Sequence, residues 1–434
     1  MVNNGYKKFL IFYLVSSLFY VGLFLVEPAR KIVSDSGLTL RDNNLFYFVI
    51  ISLLINLLIY LYFFRQGSWS DLSFKKVFYC YLGLNIVLSI MWPVSSTDIF
   101  SYIYQGRILS IYHSNPYLAT YHQFQSDAFY HLVANMWESK AAPYGPLFII
   151  ISGLLTWLGK INLFFSLYLF KAIFVGANLL TAYLVYKISN LKTFYLYAFN
   201  PLVIFEFVIN GHNDVLVLLG CVLSIYFLSK KQTLKNYILA VFFLVLSTLI
   251  KLTTIILWPV LVLFIFKNIK DRRGRWIFVT TTPLAIALTL LVIYAPFLDA
   301  WQTLYLPIMS QVQLSGFYSL GVYFVKIFSP LSGFVPDLGL SAIVNKVIFF
   351  IFYLVILVKI MFAHQFILKD SVLKYQTLIL VLLFLTSFTW LMPWYFTLLI
   401  FAGSLAYDLE KKQAYFNLIS LFTFYGIVYY LFLR

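Results

Sequence analysis

The sequence predicts an all-α polytopic membrane protein, and three observations carry that prediction. Hydrophobic residues make up 62% of the 434 residues and charged residues only 11%, against roughly 25% charge in a soluble domain. Mean hydropathy is +0.90, and no aqueous core absorbs so much apolar surface, because a domain of this length still leaves about a quarter of its unfolded-chain surface in water. The apolar runs are continuous instead of alternating, which favours helices over a barrel. At about 20 residues per span plus a connection, there is room for a bundle of about 11 to 14 transmembrane helices. Residues 1–434 read as one integral membrane domain with no soluble domain left over.

The 31 basic residues fall in short clusters between apolar runs, so the net charge of +16 reads as positive-inside bias and not as a nucleic-acid surface. Lys7 and Lys8 put the N-terminus in the cytoplasm. The run Phe9–Val26 is longer than the apolar core of a secretory signal and lacks a small-residue cleavage site, so it reads as an uncleaved first span. Spans at 45–64 and 77–93 follow, with Arg65, Lys75 and Lys76 inside. Residues 94–142 then emerge outside as the longest polar stretch, and loops of that length are usually functional.

Apolar segments at 145–159, 163–186, 193–209 and 214–229 lead to the inside cluster Lys230, Lys231 and Lys235. An outer start and an inner end need an odd number of crossings, so one of the four is partial. Asn200-Pro201 marks the third, since proline lacks an amide donor and disfavours helix in the residue before it. Non-helical backbone at membrane depth is tolerated where it lines a cavity. Lys187 and Lys192 then lie inside and Asn210–Asp214 outside. An up-and-down pair with Lys251 at its outer turn reaches the basic run Lys267–Arg275. Spans at 276–295, 341–363, 375–392, 394–407 and 414–432 complete the chain, with 296–340 as a second outer loop and Lys369, Lys374, Lys411 and Lys412 inside. Cys80 and Cys221 sit in apolar stretches without metal-ligand spacing.

The fifteen carboxylates locate the chemistry. Asp71, Asp271, Asp370, Asp408 and Glu410 fall in inside loops, Glu206 alone lies within an apolar segment, and the rest are outside. A transporter driven by protons or sodium would usually carry ionisable groups at the bilayer midplane, for which Glu206 is slender support. Asp98 follows the third span closely and belongs at the membrane boundary. Spacings of four and three put Asp98, Tyr102 and Gln105 on one face of an amphipathic helix, with Ile99 and Ile103 on another. At about 100° per residue Arg107 is on the far side from Asp98. Asp98 also reads as a simple helix N-cap, Ser114–Tyr117 as a turn, and 143–146 as a loop-to-helix junction.

The ordered strings DIFSYIYQGRI and NPY (98–117), YGPL (144–147), NPLVIFEFVINGHND (200–214) and WLMPWY (390–395) resemble the bacterial polyprenyl-phosphate-mannose-dependent mannosyltransferases of the GT-C superfamily. That resemblance spans roughly three quarters of the chain. It implies a GT-C-like bundle and an acidic residue of the first outer loop as catalytic base, here Asp98. It also implies transfer of a hexose, mannose by the resemblance, from a polyprenyl-phosphate carrier to a glycan or glycolipid acceptor on the extracytoplasmic face of the cell membrane. The motif positions Tyr102, Gln105, Asn115, Tyr144, Glu206, His212, Asn213, Asp214, Trp394 and Tyr395 become candidates for sugar or acceptor binding.

The chemistry suits so small a set of residues. The donor's anomeric carbon bears a phosphate diester that departs as a stable anion, so cationic stabilisation suffices and no general acid is needed. The acceptor is a neutral hydroxyl that needs a carboxylate within hydrogen-bond reach. Attack opposite the phosphate predicts inversion. Lys251, flanked by apolar residues, is the first candidate for the phosphate cation, with snorkelling to headgroups as its other reading. Arg107 is the second, because a guanidinium binds phosphate bidentately.

Glu206 also reads as a protonated structural acid, His212 and Asp214 as a polar turn, and Trp390, Trp394 and Tyr395 as interfacial aromatics. Asp127, His131 and Glu138 can shape an acceptor site. No cofactor is called for, and the absence of a tight carboxylate cluster argues against a divalent metal. A flippase or transporter of lipid-linked saccharides is the competing function and an inactive cell-wall scaffold a third. Oligomeric state is left open.

Overall fold

A computed structural model of the chain describes residues 4–26, 43–132, 139–160, 162–306, 309, 318–328, 338–363, 368–407 and 412–432. It is an all-α polytopic membrane protein, and among the described residues no strand forms. The first helices are α1 (Asn4–Gly22), α2 (Asn43–Gln66) and α3 (Phe74–Ser89). After them come α4 (Asp98–Ser110), α5 (Pro146–Leu158) and α6 (Leu163–Ile188). Taken by length and composition among the described residues, four helices are sufficient to cross a membrane unaided: Phe46–Gln66, Leu163–Ile188, Arg272–Phe297 and Leu338–Phe362. Six further apolar helices have 10–17 residues.

The span interrupted at Asn200-Pro201 is present and bent. Helix α7 (Leu191–Ala198) meets Pro201–Asn210 at 50°, and the second half is one α-turn, α8 (Pro201–Val203), running into a π-helix at Ile204–Asn210. The break is stabilised from within: Asn200 Oδ1 accepts from the amides of Leu202 and Val203, 3.0 and 3.4 Å, and its Nδ2 donates to Thr423 Oγ1, 2.7 Å. The chain continues through α9 (Asp214–Ser229), α10 (Leu234–Ile250), α11 (Trp258–Asn268) and α12 (Arg272–Tyr294). Next are α13 (Leu320–Phe328), α14 (Leu338–Phe362), α15 (Lys374–Thr386), α16 (Phe396–Ala406) and α17 (Lys412–Tyr429). Helix α13 lies inside the stretch read from sequence as the loop 296–340, parts of which fall outside the described residues.

Helix α4 forms where the spacing put it, but its polar face is packed against protein and not open to solvent. Every residue from Ile99 to Ile108 is buried, because Gly106 lets α4 ride directly against α5. A side chain there would meet the Ser152 carbonyl, and Ser110 Oγ and Thr156 Oγ1 hydrogen-bond across the crossing at 2.9 Å. Mixed polarity along a short helix therefore signals packing against several partners rather than one wet face.

Contacts sort the turns into two ends. At one, Lys76 lies over the Tyr6 ring and Arg65 over Phe416, Phe64 packs on Tyr407, and Trp69 meets Tyr195. These are the basic turns read as inside. At the other end Asp98, Asn210–Asp214, Lys251 and Trp394 converge. The Arg65 and Lys76 turns thus lie at one end of the bundle.

Candidate active site

The turn between α3 and α4 is held by Asn210, whose Oδ1 accepts from the amides of Val94 and Ser95, both at 3.1 Å, while its Nδ2 donates to Ser95 Oγ at 2.9 Å. Thr97 occupies the N-cap of α4 and Asp98 is its first helical residue, with its amide donating to Ser96 Oγ at 3.2 Å. Capping therefore does not consume the Asp98 carboxylate, which stays at the positive end of the helix and keeps 14% of its side-chain surface accessible.

Gly211 reverses the chain after the π-helix. Its φ is +78°, which glycine adopts without strain, and a Cβ there would press on Ile99. The reversal lets the His212 amide donate to the Glu206 carbonyl at 3.0 Å and sends the ring between two acids. Nδ1 is 3.6 Å from Asp98 Oδ2, and Nε2 is 3.3 Å from Glu206 Oε2. These are charge contacts; neither ring nitrogen is aligned for a hydrogen bond. The imidazole stacks on Trp394 at 3.9 Å and 17°. Glu206 is fully buried and accepts from Tyr430 Oη at 2.7 Å and Asn210 Nδ2 at 3.2 Å.

Beside this line lies a second charge pair. Lys251, the residue that ends α10, places Nζ 2.8 Å from Asp214 Oδ1 and 3.9 Å from the centre of the Tyr395 ring. It therefore meets an anion and an aromatic face instead of snorkelling. Tyr102 Oη donates to Asn213 Oδ1 at 3.4 Å and its ring packs edge-on against Tyr144. Asp214 Oδ2 and Asn213 Nδ2 are buried without hydrogen-bond partners. Burial raises the Asp98 carboxyl above the ordinary aspartate value, while His212 and Lys251 pull it down and Asp214 and Glu206 push it up.

Three sequence candidates lie elsewhere. Arg107 is paired with Asp127 at 2.8 Å, donates to the Lys160 carbonyl at 2.9 Å and covers the Phe129 ring. Its guanidinium is engaged in holding the 121–132 segment against α4 and the turn after α5, apart from the Asp98–His212 contact. Asp127 is correspondingly consumed, since it also accepts from Tyr112 Oη at 2.7 Å. Gln105 donates to Tyr121 Oη at 2.9 Å, a hydroxyl within reach of the Asp98 charge. Asn115 donates to Asp299 Oδ1 and Thr303 Oγ1, joining the two outer loops. His131 is exposed, and Glu138 lies outside the described residues.

Trp394 and Tyr395, favoured from sequence as interfacial aromatics, instead touch His212 and Lys251. Sequence reasoning passed over Asn210, Tyr430 and Lys171. For Lys171 the signal was available, a single lysine in the apolar run of α6; Tyr430 offered none. Among the described residues no group of three or more His, Cys, Asp or Glu is arranged to hold a metal ion.

A carboxylate beside an imidazole, with a buried ammonium nearby, thus lies at one end of the helical bundle. Residues 38–267 match the family described as alpha-(1->6)-mannopyranosyltransferase, N-terminal domain (the MptA_B family). The chain belongs to that family, a GT-C type of mannosyltransferase, and is a membrane glycosyltransferase acting on mannose. No curated protein and no solved structure matches it.

Proposed function

We propose that the protein is an inverting mannosyltransferase that draws on a polyprenyl-phosphate sugar and serves a glycan or glycolipid acceptor on the extracytoplasmic face. The observation that carries this reading is a partly accessible Asp98 beside His212, with the buried Lys251–Asp214 pair close enough for its charges to act on that carboxylate. Asp98 accepts the proton of the acceptor hydroxyl as that oxygen bonds to the anomeric carbon. The bond from that carbon to the phosphate oxygen breaks, and its electron pair leaves with the lipid phosphate, which Lys251 stabilises.

His212 lies 3.6 Å from Asp98 and opposes the rise of its carboxyl pKa, which favours the ionised base. Asn213, Asp214, Tyr102, Tyr144, Trp394 and Tyr395 form the wall available to sugar hydroxyls and ring faces. Glu206, held by Tyr430 and Asn210, supports His212 from behind. The positive-inside pattern supports a site on the outer face.

The test is transfer by purified protein from labelled polyprenyl-phosphate mannose, run beside nucleotide-activated mannose. Product from the lipid donor alone, with the anomeric configuration inverted, is the expected result. Transfer from the nucleotide sugar without a lipid carrier, or movement of lipid-linked sugar across vesicles without transfer, overturns the reading.

A further inference from the structure

Lys171 is the buried charge that the mechanism leaves unused. It sits within α6, and only 1% of its surface is exposed. Its Nζ donates to the carbonyls of Met91, Ile209 and Val208, at 2.5, 2.8 and 3.3 Å. Three acceptors match the three N–H donors of an ammonium.

The acceptors belong to two backbone ends. Met91 follows the last turn of α3, and Val208 and Ile209 belong to the last turn of the π-helix. Carbonyls at a helix end are the negative pole of its dipole and lack intrahelical partners. One cation from a third helix therefore ties together two ends that would otherwise present unpaired oxygens in an apolar layer. From Met91 the chain runs on to Asp98, and from Ile209 to His212.

The geometry points to Lys171 as a positioning residue that fixes the separation of Asp98 and His212. This inference rests on the function proposed above. Lys171 acts through the backbone: the charges that influence Asp98 are His212, Lys251, Asp214 and Glu206. The clamp is shared with Asn210, which spans the same two segments through Val94 and Ser95.

The test uses the full-length protein in detergent, as Lys171→Met and Lys171→Gln. Hydrogen exchange is expected to rise together in peptides covering 91–98 and 208–213 in Lys171→Met, and less in Lys171→Gln, whose amide retains two donors. kcat is expected to fall by about 10²-fold, the scale of a misplaced reacting group, with KM for the lipid donor within about twofold. The acid limb of the pH–kcat profile should move to higher pH as Asp98 loses His212. Unchanged exchange in either segment, or a kcat and profile equal to wild type, overturns the proposal. If the wild-type protein transfers no mannose, the functional reading fails, and exchange alone decides the clamp.

Discussion

Asp98 is under opposing influences, and their balance is measurable. Burial raises its carboxyl above the ordinary 3.8, with His212 and Lys251 opposing the rise. A base must be ionised, so activity should be lost, as pH falls, at a higher pH than an ordinary aspartate would impose. His212→Gln removes a charge that lowers the Asp98 pKa, so the acid limb should move still higher; a limb that stays put separates the two side chains. Asp98→Asn should cut turnover by about 10²–10⁴-fold, the usual range for a general base, with donor binding kept, and near-wild-type turnover would remove Asp98 from the mechanism. For Lys251, truncation alone strands Asp214 as a buried unpaired charge, so the informative variant is Lys251→Met with Asp214→Asn. Its affinity for the lipid-phosphate donor should drop about 10-fold or more, the scale of a charged hydrogen bond, measured by titration against wild type.

At the scale of elements, the crossing of α4 on α5 controls where Asp98 stands. Gly106→Leu forces the Ser152 carbonyl away, and overpacking of this kind costs about 1–3 kcal/mol. A lower melting temperature in detergent, accompanied by lost transfer, is the expected outcome, whereas an unchanged melt would mean that the crossing yields easily. The broken span was legible because Asn200-Pro201 has a local stereochemical effect that no neighbour reverses. The polar face of α4 is covered, which its own sequence did not reveal because its partners, α5 and the 121–132 segment, lie further along the chain. The partner of Arg107 was hidden for a related reason: Asp127 reaches the guanidinium only once the chain has folded back. The strings that bear Asp98, His212, Asp214 and Lys251 could be read from sequence, while the Tyr430 contact with Glu206 depends on a helix from the other end of the chain.

For the whole molecule, the testable quantity is orientation. Cysteine at Ser114, in a background with Cys80 and Cys221 replaced by serine, should react with a membrane-impermeant thiol reagent added outside intact cells. Cysteine at Lys231 should react only after the membrane is opened, and the opposite pattern would invert the topology. Basic clusters predict which turns share a side because the bias acts on composition alone. They did not reveal which turns touch, since that follows from helix packing.

The bond between Asp214 and Lys251 has a consequence for the resting enzyme. A lone ammonium at the lip of a bilayer would attract whatever anion drifted past, inorganic phosphate included. Here the protein carries its own counterion, so an anion must bring enough other contacts to dislodge Asp214, and in the function proposed above a long isoprenoid tail anchored in the membrane would bring them.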